Sequence, residues 1–206
     1  SDGNYSVIDK GGVQWMTAGK GLIHAEVSSE KFRKEGGPLE ILQLWVNLPK
    51  RLKMMAPHYR GVQKENISTW KNKEENVKAR VVSGSFKGIR GAFDTPTSVN
   101  LSIVEFDDKA EVELEIPKTD NIFFYVIRGE LDVNEINVPE LHLAEFSKNH
   151  ERLNIYAGKE SILLLGHAEP FEEKVVFGGP FVMNSEEEIR QAYEDYKEGK
   201  MGSWDE

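Results

Sequence analysis

Short runs of alternating apolar and polar residues, bounded by turn-forming residues, are the feature that most limits the fold of this chain. Successive side chains of a β-strand point to opposite faces, so alternation over four to eight residues indicates a strand with one buried face. Several runs have glycine, proline, asparagine or aspartate at their ends, where turns favour them. The predicted strands are residues 5–8, 39–48, 79–83, 100–106, 110–116, 122–127 and 161–166. Their regular spacing predicts an all-β fold, a sandwich or a barrel.

Two segments depart from the strand pattern and indicate how the chain is organised. Residues 50–78 are rich in lysine, glutamate and asparagine, which predicts a connector between two β units with a boundary near residue 75. We therefore expect one unit in residues 1–75 and a second in residues 76–206. Near the C-terminus, Ser185 followed by Glu188 is a capping box, and apolar residues then recur at helical spacing. This pattern predicts a helix over residues 185–199.

The composition excludes several classes of protein. The formal net charge is −9 at pH 7, which argues against binding nucleic acid through its phosphates. No stretch approaches the ~20 consecutive apolar residues of a membrane-spanning helix. The chain has no cysteine, which excludes disulfides, thiolate-bound zinc, iron–sulfur clusters and thiol catalysis. A metal here has to be held by histidine, carboxylates or water, and the lack of cysteine fits a reducing, cytoplasmic compartment.

The stretch VQWMTAGKGLIHAE, residues 13–26, contains the most informative side chains. His24 and Glu26 are two residues apart, and on a strand they would project from the same face. One imidazole nitrogen and one carboxylate oxygen form half of a site for a divalent ion such as iron(II), copper or nickel. Gly19 and Gly21 let the chain turn sharply just upstream. The alternative is a solvated or hydrogen-bonded pair, and the spacing alone leaves both interpretations open.

Three motifs give the chain a resemblance to the pirin family: VQWMTAGKGLIHAE (13–26), LQLWVNLP (42–49) and GGPFVMNSEEEI (178–189). They occur in the family's order and bracket nearly the whole chain. The resemblance implies a bicupin fold, in which two antiparallel β-barrels of the cupin type are followed by a short C-terminal helix. It also implies one iron(II) in the N-terminal cupin, held by three histidines and one glutamate. His24 and Glu26 match two of these four ligands.

The other two ligands are where this sequence departs from the family pattern. The resemblance places them in a His-x-His motif on an upstream strand, and no such motif occurs in the 206 residues. We expect that motif to precede Ser1, so that the first strands of the N-terminal cupin are missing here. Two ligands of four would hold a metal poorly. A barrel without its opening strands would also expose strand edges that invite pairing with another chain.

The second barrel can be examined through its cupin motif, whose closing glycine matches Gly129. The cupin spacing then places the metal positions at Glu115, Pro117 and Asn121, where proline offers no ligand and no histidine occurs. This barrel is therefore expected to be structural and free of metal. Surface, loop or strand-end positions are expected for the remaining histidines, His58, His142, His150 and His167.

The resemblance implies an enzyme, a non-haem iron dioxygenase that opens the ring of the flavonol quercetin. Coordination to the metal would make a flavonol hydroxyl more acidic, and Glu26 would take its proton as general base. Other divalent transition metals fit the same donors. The alternative is a regulatory module that senses the redox state of iron and binds a protein partner without turnover. The expected partners are thus a small aromatic substrate or a protein, with no direct contact to nucleic acid or membrane.

Overall fold

The structure is a computed structural model that describes residues 3–147 and 152–203. Nearly all of its regular elements are short strands, as the alternating runs predict. The strands β1–β16 are, in chain order, Val13–Thr17, His58–Val62, Thr69–Lys71, Val77–Ser83, Ser85–Phe86, Ile89–Arg90, Asn100–Phe106, Ala110–Glu115, Asn121–Arg128, Glu130–Val133, Ile136–Pro139, Leu143–Ala144, Arg152–Ala157, Ser161–Ala168, Val176–Gly178 and Phe181–Met183. The helices α1–α3 are Glu30–Glu35, Lys50–Lys53 and Glu186–Lys197, and a 3-10 turn spans Lys64–Asn66.

The chain forms two compact units, each made of segments that are distant in sequence. Unit 1 contains Ser1–Asp9, Gln14–Gly61 and Phe171–Glu206, and unit 2 contains Lys10–Val13 and Val62–Pro170. The division into domains at residue 75 stays a prediction. None of the helices in the described part of the chain has both the length and the apolar composition that crossing a membrane requires.

Most of unit 2 consists of two antiparallel sheets with a shared core, and the short strands β5 and β6 pair separately. The larger has the strand order β12-β9-β14-β7-β4-β3 and the smaller the order β11-β10-β13-β8. On β8, Val112 and Leu114 are buried while Glu113 between them is exposed. Side chains from both sheets meet in one apolar cluster, in which Phe124, Leu131 and Leu163 are completely buried. The antiparallel sheets confirm the predicted all-β class.

The turn between β9 and β10 depends on a glycine. Gly129 has a φ of +77°, in the left-handed region that favours glycine. A Cβ atom at this position would lie 2.6 Å from the carbonyl oxygen of Glu160 and would collide with the hydroxyl of Ser161. The glycine that the cupin motif places here therefore lets β9 turn tightly against the residues that open β14.

Unit 1 has less regular structure, and its longest element is α3. Ser185 is the N-cap of this helix, and its hydroxyl accepts a hydrogen bond from the Glu188 amide. The Glu188 carboxylate in turn accepts from the Asn184 amide, at 2.8 Å. Ile189 and Ala192 are buried along one side of the helix. These contacts confirm the predicted C-terminal helix, with bounds two residues or less from those expected.

Two strands predicted in unit 1 are wrong. Residues 5–8 and 39–48 are described by the structure but belong to no strand. Residues 50–78, predicted as a connector, contain α2, β2, β3 and the start of β4. The reason is general: alternation shows which face a strand would bury, whereas a strand forms only where a neighbour pairs with its backbone.

Candidate metal centre

The segment that contains His24 and Glu26 lies between β1 and α1 and has no regular structure. Residues 18–29 form no strand, and both side chains are exposed. The expectation that a strand orients them to one face was therefore wrong. Their assignment as metal ligands stays a prediction, because it depends on the groups around them.

A tight turn introduces this segment. The Gly21 amide donates to the Ala18 carbonyl, and the Lys20 amide donates to the carbonyl of Met55, both at 2.9 Å. Gly19 has a φ of +53°, and a Cβ there would collide with the Met55 carbonyl oxygen. Glycine is thus required at this turn both by its backbone conformation and by the close approach of another backbone.

Glu26 is held by a chain of hydrogen bonds that sequence reasoning missed. The side-chain amide of Gln14 donates to Glu26 Oε1 at 2.6 Å. Gln14 Oε1 accepts from the Tyr59 hydroxyl at 3.2 Å, and that hydroxyl also shares a short hydrogen bond with the hydroxyl of Ser6. These hydrogen bonds connect β1 with β2, so the two strands hold Gln14 in the position that orients the Glu26 carboxylate. Gln14 and Glu26 belong to the same motif, residues 13–26, but no local spacing links residues 12 apart when one of them lies outside any strand.

The donor set fits a divalent metal in kind but not in number. His24 offers an imidazole nitrogen and Glu26 a carboxylate oxygen, a mixture that suits iron(II) and other borderline ions. Among residues 3–147 and 152–203, no group of three or more histidine, aspartate or glutamate side chains is placed to hold an ion. Two exposed donors do not enclose a cation. Any metal bound here therefore needs further ligands from outside the described residues.

The remaining histidines have other surroundings. His58 is exposed at the start of β2. His142 is exposed and its Nδ1 lies 2.8 Å from the Glu140 carbonyl oxygen. His167, near the end of β14, has its Nδ1 2.7 Å from the carboxylate of Asp120. His150 lies outside the described residues.

The metal positions expected from the cupin spacing in unit 2 also have other roles. Glu115 ends β8 and pairs with Arg152 on β13 at 3.2 Å. Asn121 begins β9 with an exposed side chain, and Pro117 lies in the exposed turn before it. That this barrel is structural stays a prediction.

Lys53 is a buried cation that sequence reasoning placed in the connector and passed over. It lies on α2 and is only 6% exposed. Its ammonium donates to Asn47 Oδ1 at 2.7 Å and to the Val182 carbonyl at 3.0 Å. Burial lowers the pKa of Lys53 below its ordinary value, and the charges of Glu173 and Glu188 partly oppose that shift. The motifs at 42–49 and 178–189 thus meet at this ammonium.

Further polar contacts strengthen the same junction within unit 1. The Lys50 amide donates to Glu173 Oε2 at 2.7 Å, and the Lys50 ammonium pairs with Glu188 at 3.2 Å. The hydrogen bond from the Asn184 amide lowers the pKa of the Glu188 carboxyl, and the contact with Lys50 adds to this effect. The α2 segment is therefore fixed to the C-terminal residues mainly by charged and amide groups.

Comparisons with known proteins decide the family. A family model described as the pirin C-terminal cupin domain matches residues 102–202, and one described as pirin matches residues 1–46. A Pseudomonas aeruginosa protein named "Putative quercetin 2,3-dioxygenase" is 36% identical over 194 residues, which cover 94% of this chain and 68% of that protein. The chain belongs to the pirin family.

Other pirins and a solved structure agree with this membership. Pirin from Mus musculus is 35% identical over 205 residues, covering 97% of this chain and 68% of the mouse protein. The crystal structure of quercetin 2,3-dioxygenase from Acinetobacter baumannii matches with a TM-score of 0.90 at 31% identity, covering 95% of this chain and 68% of the other. The cupin fold that the three motifs implied is confirmed.

Proposed function

We propose that this pirin contributes to a metal-dependent oxygenase that acts on quercetin or a related flavonol, with His24 and Glu26 as ligands of one iron(II). The observation that supports this most is the orientation of Glu26 by Gln14 at 2.6 Å, within the motif that the family resemblance assigns to the metal. A hydrogen bond from a neighbouring group commonly orients a ligand and tunes its basicity. The remaining nitrogen donors would come from outside the described residues.

The two oxygens of Glu26 have different parts in this proposal. Oε1 accepts the hydrogen bond from Gln14 and would bind the ion through its other lone pair, so Oε2 would be the oxygen that receives a proton from the substrate. A metal ion bound beside it would make a coordinated flavonol hydroxyl more acidic. Tyr59 keeps Gln14 in the orientation that donates to Oε1, because its hydroxyl donates to the amide oxygen. His24 would bind the ion and leave the proton to the carboxylate.

The substrate class rests on the named relatives. The Acinetobacter baumannii protein carries the name quercetin 2,3-dioxygenase, and the Pseudomonas aeruginosa protein the name "Putative quercetin 2,3-dioxygenase". The mouse relative is named pirin without a reaction. Because the mouse name states no reaction, we keep a second function as the alternative: an iron-dependent module that binds a protein partner and catalyses no reaction. Iron binding is common to both functions, so turnover is what separates them.

The test is the iron content of the chain, measured by elemental mass spectrometry after anaerobic loading with iron(II). The 206-residue chain is compared with a version extended at the N-terminus by the preceding codons of its gene. We expect about one iron per extended chain and far less in the shorter one. In the extended chain His24→Ala and Glu26→Gln should each lower the iron content at least ~10-fold. His58→Ala, which removes another exposed histidine of unit 1, is the matched control and should keep it.

Quercetin consumption under oxygen follows on the loaded extended chain. Loss of the flavonol absorbance in the parent and in His58→Ala, but not in Glu26→Gln, would support the oxygenase. An extended chain that stays free of metal after loading overturns the metal site. A loaded chain that leaves quercetin intact overturns the oxygenase and leaves the protein-binding function.

A further inference from the structure

Met201 lies in the short tail after α3 and is buried against the turn that precedes His24. It is 7% exposed. A Cβ atom added to Gly21 would lie 2.6 Å from Met201 Sδ, 2.7 Å from its Cγ and 2.8 Å from its Cε. Gly21 also has a φ of +112°, which L side chains rarely adopt. The end of the methionine side chain therefore fills the space that a larger residue at position 21 would need.

The helix that precedes this tail is fixed to other residues of unit 1. Ile189 and Ala192 are buried along one side of α3. The Tyr193 ring meets the ring of Phe181 on β16 edge to face, with the ring centroids 5.0 Å apart. Aromatic pairs in this arrangement add stability beyond the area that they bury. The tail therefore starts from a fixed position.

Backbone hydrogen bonds determine the direction in which the tail leaves α3. The Lys200 amide donates to the Asp195 carbonyl at 3.0 Å. The Gly199 amide donates to the Tyr196 carbonyl, also at 3.0 Å. These two bonds form a Schellman motif, in which a glycine follows the end of the helix. The Lys200 ammonium also pairs with Asp195 at 2.7 Å and with Glu198 at 2.8 Å, so side chains strengthen the same helix end.

A turn after the helix end places Met201. The Gly202 amide donates to the Gly199 carbonyl at 3.0 Å. A hydrogen bond between residues three apart closes a β-turn, and Met201 is the third residue of this one. Because each step from α3 to Met201 is fixed by hydrogen bonds or by packing, α3 determines where the thioether lies.

Gly21 closes the turn that leads to the predicted ligands. Its amide donates to the Ala18 carbonyl, and the Lys20 amide donates to the Met55 carbonyl, both at 2.9 Å. The turn is therefore held at two points, by the Met55 backbone and by the Met201 side chain. Both of these partners are distant from the turn in sequence.

His24 lies three residues after this turn, in a segment without regular structure. Two residues further on, Glu26 accepts its hydrogen bond from Gln14. The backbone around His24 is thus fixed on both sides, at Gly21 before it and at Glu26 after it. A binding site needs its groups within about 0.5 Å of the productive geometry, so a shift of the turn would misplace the imidazole.

We propose that Met201 is a positioning residue of the metal centre, which holds the turn at Gly21 and so fixes where His24 meets the ion. This role rests on the proposed function, because it takes His24 as a ligand. Met201 contacts the turn and has no part in the proton transfer assigned to Glu26. Residues that orient metal ligands typically change metal affinity about 10- to 100-fold when they are replaced.

The first experiment measures the packing of Met201 in the chain without metal. Hydrogen peroxide converts a methionine thioether to the sulfoxide, and peptide mass spectrometry gives the rate at each position. Met54 is the reference within the same unit, because it is 60% exposed. We expect Met201 to be oxidised at least ~10-fold more slowly than Met54.

A change at Gly21 tests whether this protection comes from the turn. Gly21→Ala should remove it, because the new Cβ displaces the thioether. Gly36→Ala is the matched control: Gly36 also has a positive φ, of +68°, and no atom of the described residues lies within 4 Å of the added Cβ. Met201 should keep its slow oxidation in the control.

Amide hydrogen exchange, followed by NMR, measures whether Met201 holds the turn. The amides of Lys20 and Gly21 donate the hydrogen bonds of the turn. In Met201→Ala we expect both amides to exchange at least ~10-fold faster, because the turn loses its cover. Met201→Leu keeps a similar apolar volume and should retain nearly the parental rates. The Leu163 amide, on β14 of unit 2, should be unchanged in both variants, which checks that the chain stays folded.

Iron binding connects the turn to His24. The extended chain described above is loaded with iron(II), and the dissociation constant is measured for each variant. Met201→Ala should raise this constant at least ~10-fold, and Met201→Leu should keep it within about 2-fold. Met54→Ala removes an exposed methionine of the same unit and is the matched control, which should bind iron like the parent.

The outcomes separate the role of Met201 from the metal centre itself. Oxidation of Met201 as fast as Met54, or amide exchange that is unchanged in Met201→Ala, would overturn the contact with the turn. If the extended parent binds iron and Met201→Ala binds it equally tightly, the role of Met201 is overturned while the metal centre stands. An extended parent that binds no iron overturns the metal centre of the proposed function, and this role with it.

Discussion

Units 1 and 2 use the same kind of sequence with different results. In unit 2, the alternating strands β7, β9 and β14 each pair with a neighbour on both sides, and β8 pairs with one neighbour. The apolar residues of these strands form a common core. In unit 1, residues 39–48 have the same alternation, yet Leu39, Ile41 and Trp45 remain exposed. The difference teaches that an apolar alternation becomes stabilising only where a second layer of structure covers its apolar face.

The largest expected effect is the difference in unfolding free energy between two leucine-to-alanine substitutions, one in each unit. Leu163→Ala in β14 should lower the free energy of unfolding by about 3–5 kcal/mol, because Leu163 is completely buried and a cavity would remain. Leu39→Ala in unit 1 should cost about 0.5 kcal/mol or less, since Leu39 is 63% exposed. Urea denaturation followed by circular dichroism at low protein concentration measures both, and similar losses would contradict the comparison.

A smaller effect is expected from the turn at Gly129. Gly129→Ala imposes both a left-handed alanine and a collision with the Glu160 carbonyl, and should cost about 2–4 kcal/mol. Gly88→Ala is the control, because Gly88 also has a positive φ, of +83°, while nothing lies within 4 Å of the added Cβ. It should cost only about 1 kcal/mol. The two melting curves should therefore separate, and coincident curves would show that the turn relaxes freely.

The smallest expected effect concerns Lys53, the buried cation of unit 1. Lys53→Met removes the ammonium that donates to Asn47 Oδ1 and to the Val182 carbonyl, and should cost about 1–2 kcal/mol at pH 7. Lys50→Met removes a more exposed ammonium of the same helix and should cost less than about 1 kcal/mol.

The dependence on pH distinguishes the buried lysine from an ordinary contact. Because burial lowers the pKa of Lys53 in the folded chain, the unfolded chain holds this proton more tightly. The contribution of Lys53 to stability therefore rises with pH between the lowered pKa and the ordinary value of 10.5. The stability difference between the parent and Lys53→Met should widen over that range, and a constant difference would argue that the ammonium is well solvated.

How far the sequence predicts the fold depends on where the partners of each segment lie. The strand predicted at 100–106 is observed as Asn100–Phe106, and the one predicted at 161–166 as Ser161–Ala168. These two strands pair with each other, so the local pattern and the tertiary contact agree. The strand predicted at 39–48 is not observed, because alternation cannot show whether a neighbour is present.

The candidate site follows the same rule. His24 and Glu26 stand out in the sequence because they are two residues apart within one motif. Gln14 is 12 residues from Glu26, and Tyr59 is 45 residues from Gln14, so their contacts depend on how β1 and β2 pair. Lys53 was missed for a similar reason, since its carbonyl partner, Val182, is 129 residues away. Long-range hydrogen bonds of this kind leave no local pattern.

The assembly of unit 1 from distant segments has a consequence for the order of events during synthesis. Unit 2 ends at Pro170, so all of its strands are available once that residue has left the ribosome. Unit 1 has to wait for Phe171 and the residues after it, because they supply the Val182 carbonyl and the Glu188 carboxylate that α2 binds. At about 5–20 residues per second, residues 14–61 of unit 1 wait several seconds for these partners. During that interval their apolar side chains are open to binding by a chaperone.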